Sequence, residues 1–328
     1  MKLKKTAAPW VQLAVSAALA VTAAAGAAHA ATSTSIAGTG VAAGVTLPNA
    51  RIYALTSDNA IYVLKPGQGQ YVRLGRADFS DGGNLIGFDF RPADKQLYGL
   101  TDKGNLYTID VSNSNFGATN FVSTMNPRFT GGFGAVVDFN PSANALRVMG
   151  SNDQNLAVVN GTDGSNLSTV AVQTTFAYAQ GDVNFGKNPE IVGGAYTNNF
   201  AGAPNTLFYV IDHDLDTLVT IATKTATGSS NTGGGQLQTI GSFVDENGNK
   251  LNMSPTSDLD IYTDANGTNF LVGQTTRLLF SIDLSQIDPN LPLGKTQRIV
   301  VKRGRAAQLP GSNAPLTGGV FDIAIPPR

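Results

Sequence analysis

Four aspartates recur in one local setting, each inside a short apolar run: Asp89 in Gly87-Phe88-Asp89-Phe90, Asp138 in Val136-Val137-Asp138-Phe139, Asp260 in Leu259-Asp260-Ile261 and Asp322 in Val320-Phe321-Asp322-Ile323. Carboxylates brought together can hold a hard cation through their oxygens or converge on a polar ligand. A buried carboxylate can instead accept backbone N–H groups and tie one element to the next. Repetition favours the structural role, because packing devices recur while active sites are asymmetric; both roles are carried forward. A second acidic motif, Asp212, Asp214 and Asp216, has the spacing that opens a calcium loop. Thr217 occupies the place of the sharp-turn glycine, and Thr223 that of the closing carboxylate. A turn between two strands is the plainer reading there, with calcium the alternative.

Residue types exclude most other chemistry. The chain has no Cys, so disulfides, thiol catalysis and Cys-ligated metals are ruled out. His29 and His213 are its only histidines, too few for a zinc centre of three or four ligands. A Ser-His-Asp relay would have to run through His213, inside the acidic turn. Gly131-Gly132-Phe133-Gly134 leads into a strand rather than a helix, so the helix N-terminus that cradles phosphate is missing. Gly233–Gly235 lies among Ser, Thr and Asn and reads as a flexible linker. With 22 basic against 23 acidic residues, and no basic stripe beyond the first five positions, nucleic acid is not an expected partner. A hydrophobic content of 42% rules out a disordered chain.

Residues 1–30 have the layout of a secretory signal peptide. Lys2, Lys4 and Lys5 precede an apolar run that ends in Ala28-His29-Ala30, small residues flanking a cleavage point. Removal after Ala30 is expected, leaving a secreted or periplasmic protein without a membrane span. Residues 31–48, mostly Ala, Thr, Ser and Gly, read as a flexible leader, and 49–328 as a single domain.

The elements that must position the aspartates are strands. No helical periodicity appears after residue 49; short alternating runs separated by Gly, Asn, Asp and Pro mark an all-β chain. These runs repeat. Ile52–Thr56 and Ala60–Leu64 align without a gap on Leu97–Thr101 and Asn105–Ile109. Gly87–Pro92 precedes the second of these pairs, and Val136–Pro141 precedes a further pair at Leu146–Gly150 and Asn155–Asn160. A looser unit runs from Ile191 to Phe243, and a fifth from Leu259 to Lys302. The first unit lacks its opening strand, while Val320–Ile323 offers one with no unit to follow.

Four short strands per unit, repeating at about 40–60 residues, predict a β-propeller. Five blades are expected, with room for a sixth in 174–256. Pairing of the C-terminal strand with the N-terminal blade would close the ring and cover its edges. Phe88 and Phe90 then share one face of their strand and Asp89 takes the other. The aspartates should line the innermost strands around the channel.

The phrases GFDFRPADKQLYGLTDKGNLYTID, VVDFNPSANALRVMGSNDQNLAVVN and GDVNFGKNPEIVGGAYTNNF resemble the secreted bacterial family catalogued as domain of unknown function 4394. The resemblance runs from about Ile52 to Ile323. It implies a β-propeller-like fold and an exported or surface location; it implies no reaction and no catalytic residue. In the fourth unit Gly193-Gly194-Ala195 stands where the others carry aspartate, which breaks any ring of identical groups.

The expected function is that of an exported, non-catalytic binding or scaffolding module. It should be a monomer with no cofactor, and its partner an extracellular protein or glycan. Loops 110–121, 198–205 and 224–236 are the candidate contact surface. Two rivals stand beside it: a metal-dependent propeller hydrolase or lactonase using the channel aspartates, and a purely structural envelope or matrix protein.

Overall fold

A computed structural model describes residues 34–35, 45–68, 71–132, 134–275, 278–305 and 319–328. The expected signal peptide and most of the expected leader lie outside them. An edge strand β1 (Thr34–Ser35) precedes a three-strand meander, β2 (Ile52–Thr56), β3 (Ala60–Leu64) and β4 (Tyr71–Arg76). The second unit is β5 (Leu85–Phe90), β6 (Leu97–Thr101), β7 (Asn105–Ile109) and β8 (Thr119–Thr124). The third is β9 (Val136–Asn140), β10 (Ala145–Met149), β11 (Asn155–Val159) and β12 (Thr169–Val172). After a two-residue strand β13 (Ala177–Tyr178) come β14 (Ile191–Tyr196), β15 (Phe208–Asp212), β16 (Thr217–Ile221) and β17 (Gln236–Val244). The last meander is β18 (Asp258–Thr263), β19 (Asn269–Gln274), β20 (Leu278–Ile282) and β21 (Gln297–Arg305), and β22 (Val320–Ala324) follows it.

Consecutive strands of each meander pair antiparallel. Strand β22 pairs antiparallel with β2, setting Tyr53 opposite Ala324 and Leu55 opposite Asp322. The first meander thereby gains an inner strand from the far end of the chain. Strands β22, β5, β9, β14 and β18 touch in that cyclic order, and the fold is a β-propeller.

Packing explains the long apolar runs. A separate buried cluster fills each of the joints between neighbouring blades. Phe88 and Phe90 meet Tyr53 and Leu55 between blades one and two, and Phe139 meets Tyr98 in the next joint. Inner and middle strands such as β2, β3 and β9 are therefore buried on both faces. The outer strands β8 and β12 are exposed at half of their positions. Proline ends the inner strands as expected: β5 stops before Arg91-Pro92 and β9 before Pro141, since proline has no N–H for the ladder.

The structure departs from the sequence expectation in three places. The packed domain begins before residue 49: the Thr46 amide donates to Ser281 Oγ at 2.9 Å, and Leu47 packs against the core between the last and first blades. The segment 174–256 holds one meander together with β13, which pairs parallel with β17; β17 in turn pairs parallel with β21 of the fifth blade. Gly233–Gly235 is not a free linker, because the amide of Thr174 donates to the Gly233 carbonyl and that of Ala177 to the Gly235 carbonyl. The parallel seam requires glycine at 241, where a Cβ would lie 1.8 Å from the Gln297 carbonyl oxygen. Gly241→Ala is expected to cost about 1–3 kcal/mol or more by overpacking, measured by urea unfolding. Ser242→Ala, one residue along on the exposed side, should stay within about 0.5 kcal/mol of the parent.

Candidate axial carboxylate site

Strand alternation turns Phe88 and Phe90 into one joint and Asp89 toward the next blade. Asp89 Oδ2 accepts the Phe139 amide at 2.8 Å, and its Oδ1 accepts the Phe90 amide at 2.6 Å. Asp138 Oδ1 accepts the Tyr196 amide at 3.2 Å. Asp322 Oδ2 accepts the Phe88 amide at 3.4 Å. Blade four carries no such aspartate, and blade five compensates with two. Asp258 Oδ2 accepts the Ile323 amide at 2.9 Å, and Asp258 also accepts the Gly194 amide of blade four. Asp260 accepts the amides of Ile261 and Ile325. Every joint of the ring is thus bridged from carboxylate to backbone, the joint at Gly193-Gly194 from the far side. A Cβ on Gly193 would lie 2.5 Å from the Asp258 Cα, so glycine is what lets these two strands approach.

These carboxylates also converge. One oxygen from each of Asp89, Asp138 and Asp260 lies within 4.8 Å of the other two. Asp89, Asp138, Asp258, Asp260 and Asp322 are all buried, none more than 6% exposed. Burial pushes each of the five above the ordinary aspartate range, and the negative charge of its neighbours adds to the shift for Asp89, Asp138, Asp258 and Asp322. Burial alone raises Asp260, to about 7. Arg147 faces Asp138 across the β9–β10 pair, but its guanidinium donates to Asn155, Gln173, Thr232 and the Tyr196 hydroxyl. Asp322 Oδ1 is buried and has no hydrogen-bond partner in the protein.

The two roles weighed from the sequence, convergence and backbone anchoring, thus fall on the same side chains. Asp258 belongs to the set and was missed. Its signal was present, since it stands two residues before Asp260 and shares its face of the strand.

The calcium-loop motif is a turn. Asp212 is buried, its Oδ2 accepting the Tyr178 hydroxyl at 2.6 Å and its Oδ1 the Leu215 amide at 3.1 Å. Asp216 Oδ1 accepts the Met253 amide at 2.7 Å, and Asp214 is exposed. Their oxygens form no common cluster among the described residues. The reason is direction: Asp212 ends β15 and points into the blade, while Asp216 reaches across to Met253 in the connection between β17 and β18.

Alternating strand direction sends the first-to-second and third-to-fourth strand connections of each blade to the same end of the ring. Contacts between blades at that end agree: Arg91 donates to Asn144 and Asn166, Asn198 accepts from Asn269, and Arg328 donates to the Asp264 carbonyl. All three candidate loops emerge there. Loop 224–236 is mostly structural, with Ser229, Ser230 and Thr232 buried, and in loop 198–205 Asn199 and Ala203 are buried. Loop 110–121 stays open, exposed through Ser112–Asn115. It borders a groove of about 480 Å³ lined by Arg51, Lys95, Gln96, Asp110, Ser112 and Asn120, among others.

No helix among the described residues is long and apolar enough to cross a membrane. The sequence pattern of the family described as "Domain of unknown function (DUF4394)" matches residues 77–288. No curated protein matches the chain. Among solved structures, an auxiliary nutrient binding protein from Bacteroides thetaiotaomicron is 14% identical, with 67% of this chain and 55% of that one covered and a TM-score of 0.37. The present chain thus spans about half the length of that protein. A protein of unknown function from the same organism is 13% identical over 84% of this chain and 72% of the other, with a TM-score of 0.43. The β-propeller domain of Myceliophteria thermophila Cps50 (Swd1) is 12% identical over 82% and 73%, at 0.37.

Proposed function

Because the chain belongs to the DUF4394 family, whose description supplies no reaction, we propose a function from the geometry: an exported β-propeller that binds or scaffolds other molecules without catalysis. One observation carries this reading. The open loop 110–121 borders a groove within the size range of small-molecule sites, edged by Arg51, Lys95, Gln96, Asp110, Ser112 and Asn120. Both charge signs, amides and a hydroxyl stand there beside the apolar side chains of Tyr53, Phe90, Leu97, Ile109 and Val111. Such a set hydrogen-bonds the hydroxyls and ring oxygens of an oligosaccharide, and a glycan is the ligand class proposed. The five axial carboxylates are instead buried and engaged with backbone amides, which supports a non-catalytic role.

An array of immobilised oligosaccharides probed with the purified protein tests the reading. Binding is expected, and Asn120→Ala or Lys95→Ala should weaken it about tenfold, the loss of one or two hydrogen bonds, some charge-assisted. Binding that is unchanged in both variants, or no binding across the array, overturns it. The rival hydrolase is tested by p-nitrophenyl acetate, p-nitrophenyl phosphate and a simple lactone. No turnover above buffer is expected; turnover abolished by Asp138→Asn would establish the rival.

A further inference from the structure

We propose that the axial carboxylate cluster is a divalent-cation site, and that the ion it takes is calcium, with Asp89, Asp138 and Asp260 as direct ligands and Asp322 Oδ1 beside them. This inference is independent of the glycan reading, since an ion on the axis would fasten the ring whatever the loops bind. Three carboxylate oxygens within 4.8 Å of one another match the span across a single calcium, whose oxygens sit at about 2.3–2.6 Å from the ion. The backbone bonds already made do not disqualify these groups, because each carboxylate oxygen has two lone pairs and can accept an amide while ligating a metal.

The second observation is independent of that cluster. Asp322 Oδ1 has no partner in the protein although its residue is only 2% exposed. The charges acting on the Asp322 carboxylate are those of Asp258, Asp89 and Asp260, two of them members of the cluster. A buried acceptor without a donor is costly, and a buried charge is tolerated when paired or bound to metal. A cation supplies what both lack.

Oxygen-only donors select a hard ion over zinc or copper. Calcium fits better than magnesium because the site is buried and magnesium gives up its water reluctantly. Blade five is placed to complete the site, since Asp260 projects inward from the same strand whose Asp258 bridges the blade without an acid.

The test uses protein purified without chelator, analysed for bound metals, then stripped with EDTA and titrated with CaCl2 by calorimetry. About one calcium per chain is expected, together with a rise in Tm on the order of 5 °C when calcium is in large excess over Kd. Asp138→Asn keeps an acceptor for the Tyr196 amide and should weaken calcium binding about tenfold or more through loss of one ligand charge. Asp322→Asn keeps the Phe88 bond and should also weaken it. Asp214→Asn, exposed and outside the cluster, should bind like the parent; if it alone abolishes binding, the ion sits at the 212–216 turn and the axial site is overturned. Absence of any bound divalent metal, with a Tm unmoved by millimolar CaCl2, MgCl2 or MnCl2, overturns it as well.

Discussion

Deletion of residues 319–328 is expected to abolish cooperative unfolding altogether. Strand β22 is the inner strand of the first blade, and Val320, Phe321, Ile323 and Ile325 are all buried. Four such side chains contribute roughly 1.5–3 kcal/mol each, a total on the order of 6–12 kcal/mol. That is comparable with the entire stability of an ordinary domain, about 5–15 kcal/mol. The deletion also removes the Ile323 and Ile325 amides that Asp258 and Asp260 accept, leaving two buried carboxylates without those partners. It uncovers the edge of β2 as well, a template for aggregation. Circular-dichroism melts of the full and shortened chains check this, and a synthetic 319–328 peptide added in trans should restore part of the transition. A shortened chain melting within a few degrees of the parent would show that the ring does not depend on its last strand.

The second large effect is a pH dependence that calcium opposes. All five axial carboxylates have folded-state pKa values raised above those of the unfolded chain, with burial as the first cause. Between about pH 4 and pH 7 the folded state therefore holds protons that the unfolded state has released. Stability from this cluster is present at the acid end of that window and is lost as pH rises through it. For Asp260 alone the rise from 3.8 to about 7 corresponds to on the order of 4 kcal/mol. The groups facing one another are Asp322 from β22, Asp89 from β5, Asp138 from β9, and Asp258 and Asp260 from β18; Arg147 on β10 is held by other partners.

In EDTA the Tm should accordingly fall from pH 5 to pH 8. In excess CaCl2 the stabilisation should be largest at pH 8 and disappear near pH 5, because the ion competes with protons for the same oxygens. Asp322→Asn should raise the Tm at pH 8 in EDTA by several degrees, by removing one of the mutually repelling charges while keeping the Phe88 bond. Scanning calorimetry across this range decides it; a Tm in EDTA that climbs with pH would falsify the charge argument.

Much of the frame was legible because strand structure is encoded locally. Alternation along Gly87–Phe90 separates the phenylalanines from Asp89, and the near-identical runs around Tyr53 and Tyr98 identify equivalent middle strands. The missing opening strand and the orphaned Val320–Ile323 pointed to their pairing, and β22 does pair with β2, in a register no local pattern gave. The blade-four region was harder. Strand β17 pairs parallel with β21 and carries the short β13 on its side, and no local pattern announces a parallel partner supplied from another blade. The same seam explains why Gly233–Gly235 looked like a linker: its carbonyls are taken by residues far from it along the chain.

By itself, the amino-acid order determined the class of fold, the repeat, and which side chains lie on inner strands, because period-two alternation and turn chemistry act over a few neighbouring residues. Only the tertiary structure decided that Asp89, Asp138 and Asp260 bring their oxygens together, that Asp258 reaches back to Gly194, and that Asp322 Oδ1 is left without a donor. Those distances depend on how many blades share the circle and how closely glycine lets their backbones approach. Side chains from separate blades acquire a common environment only when the ring shuts.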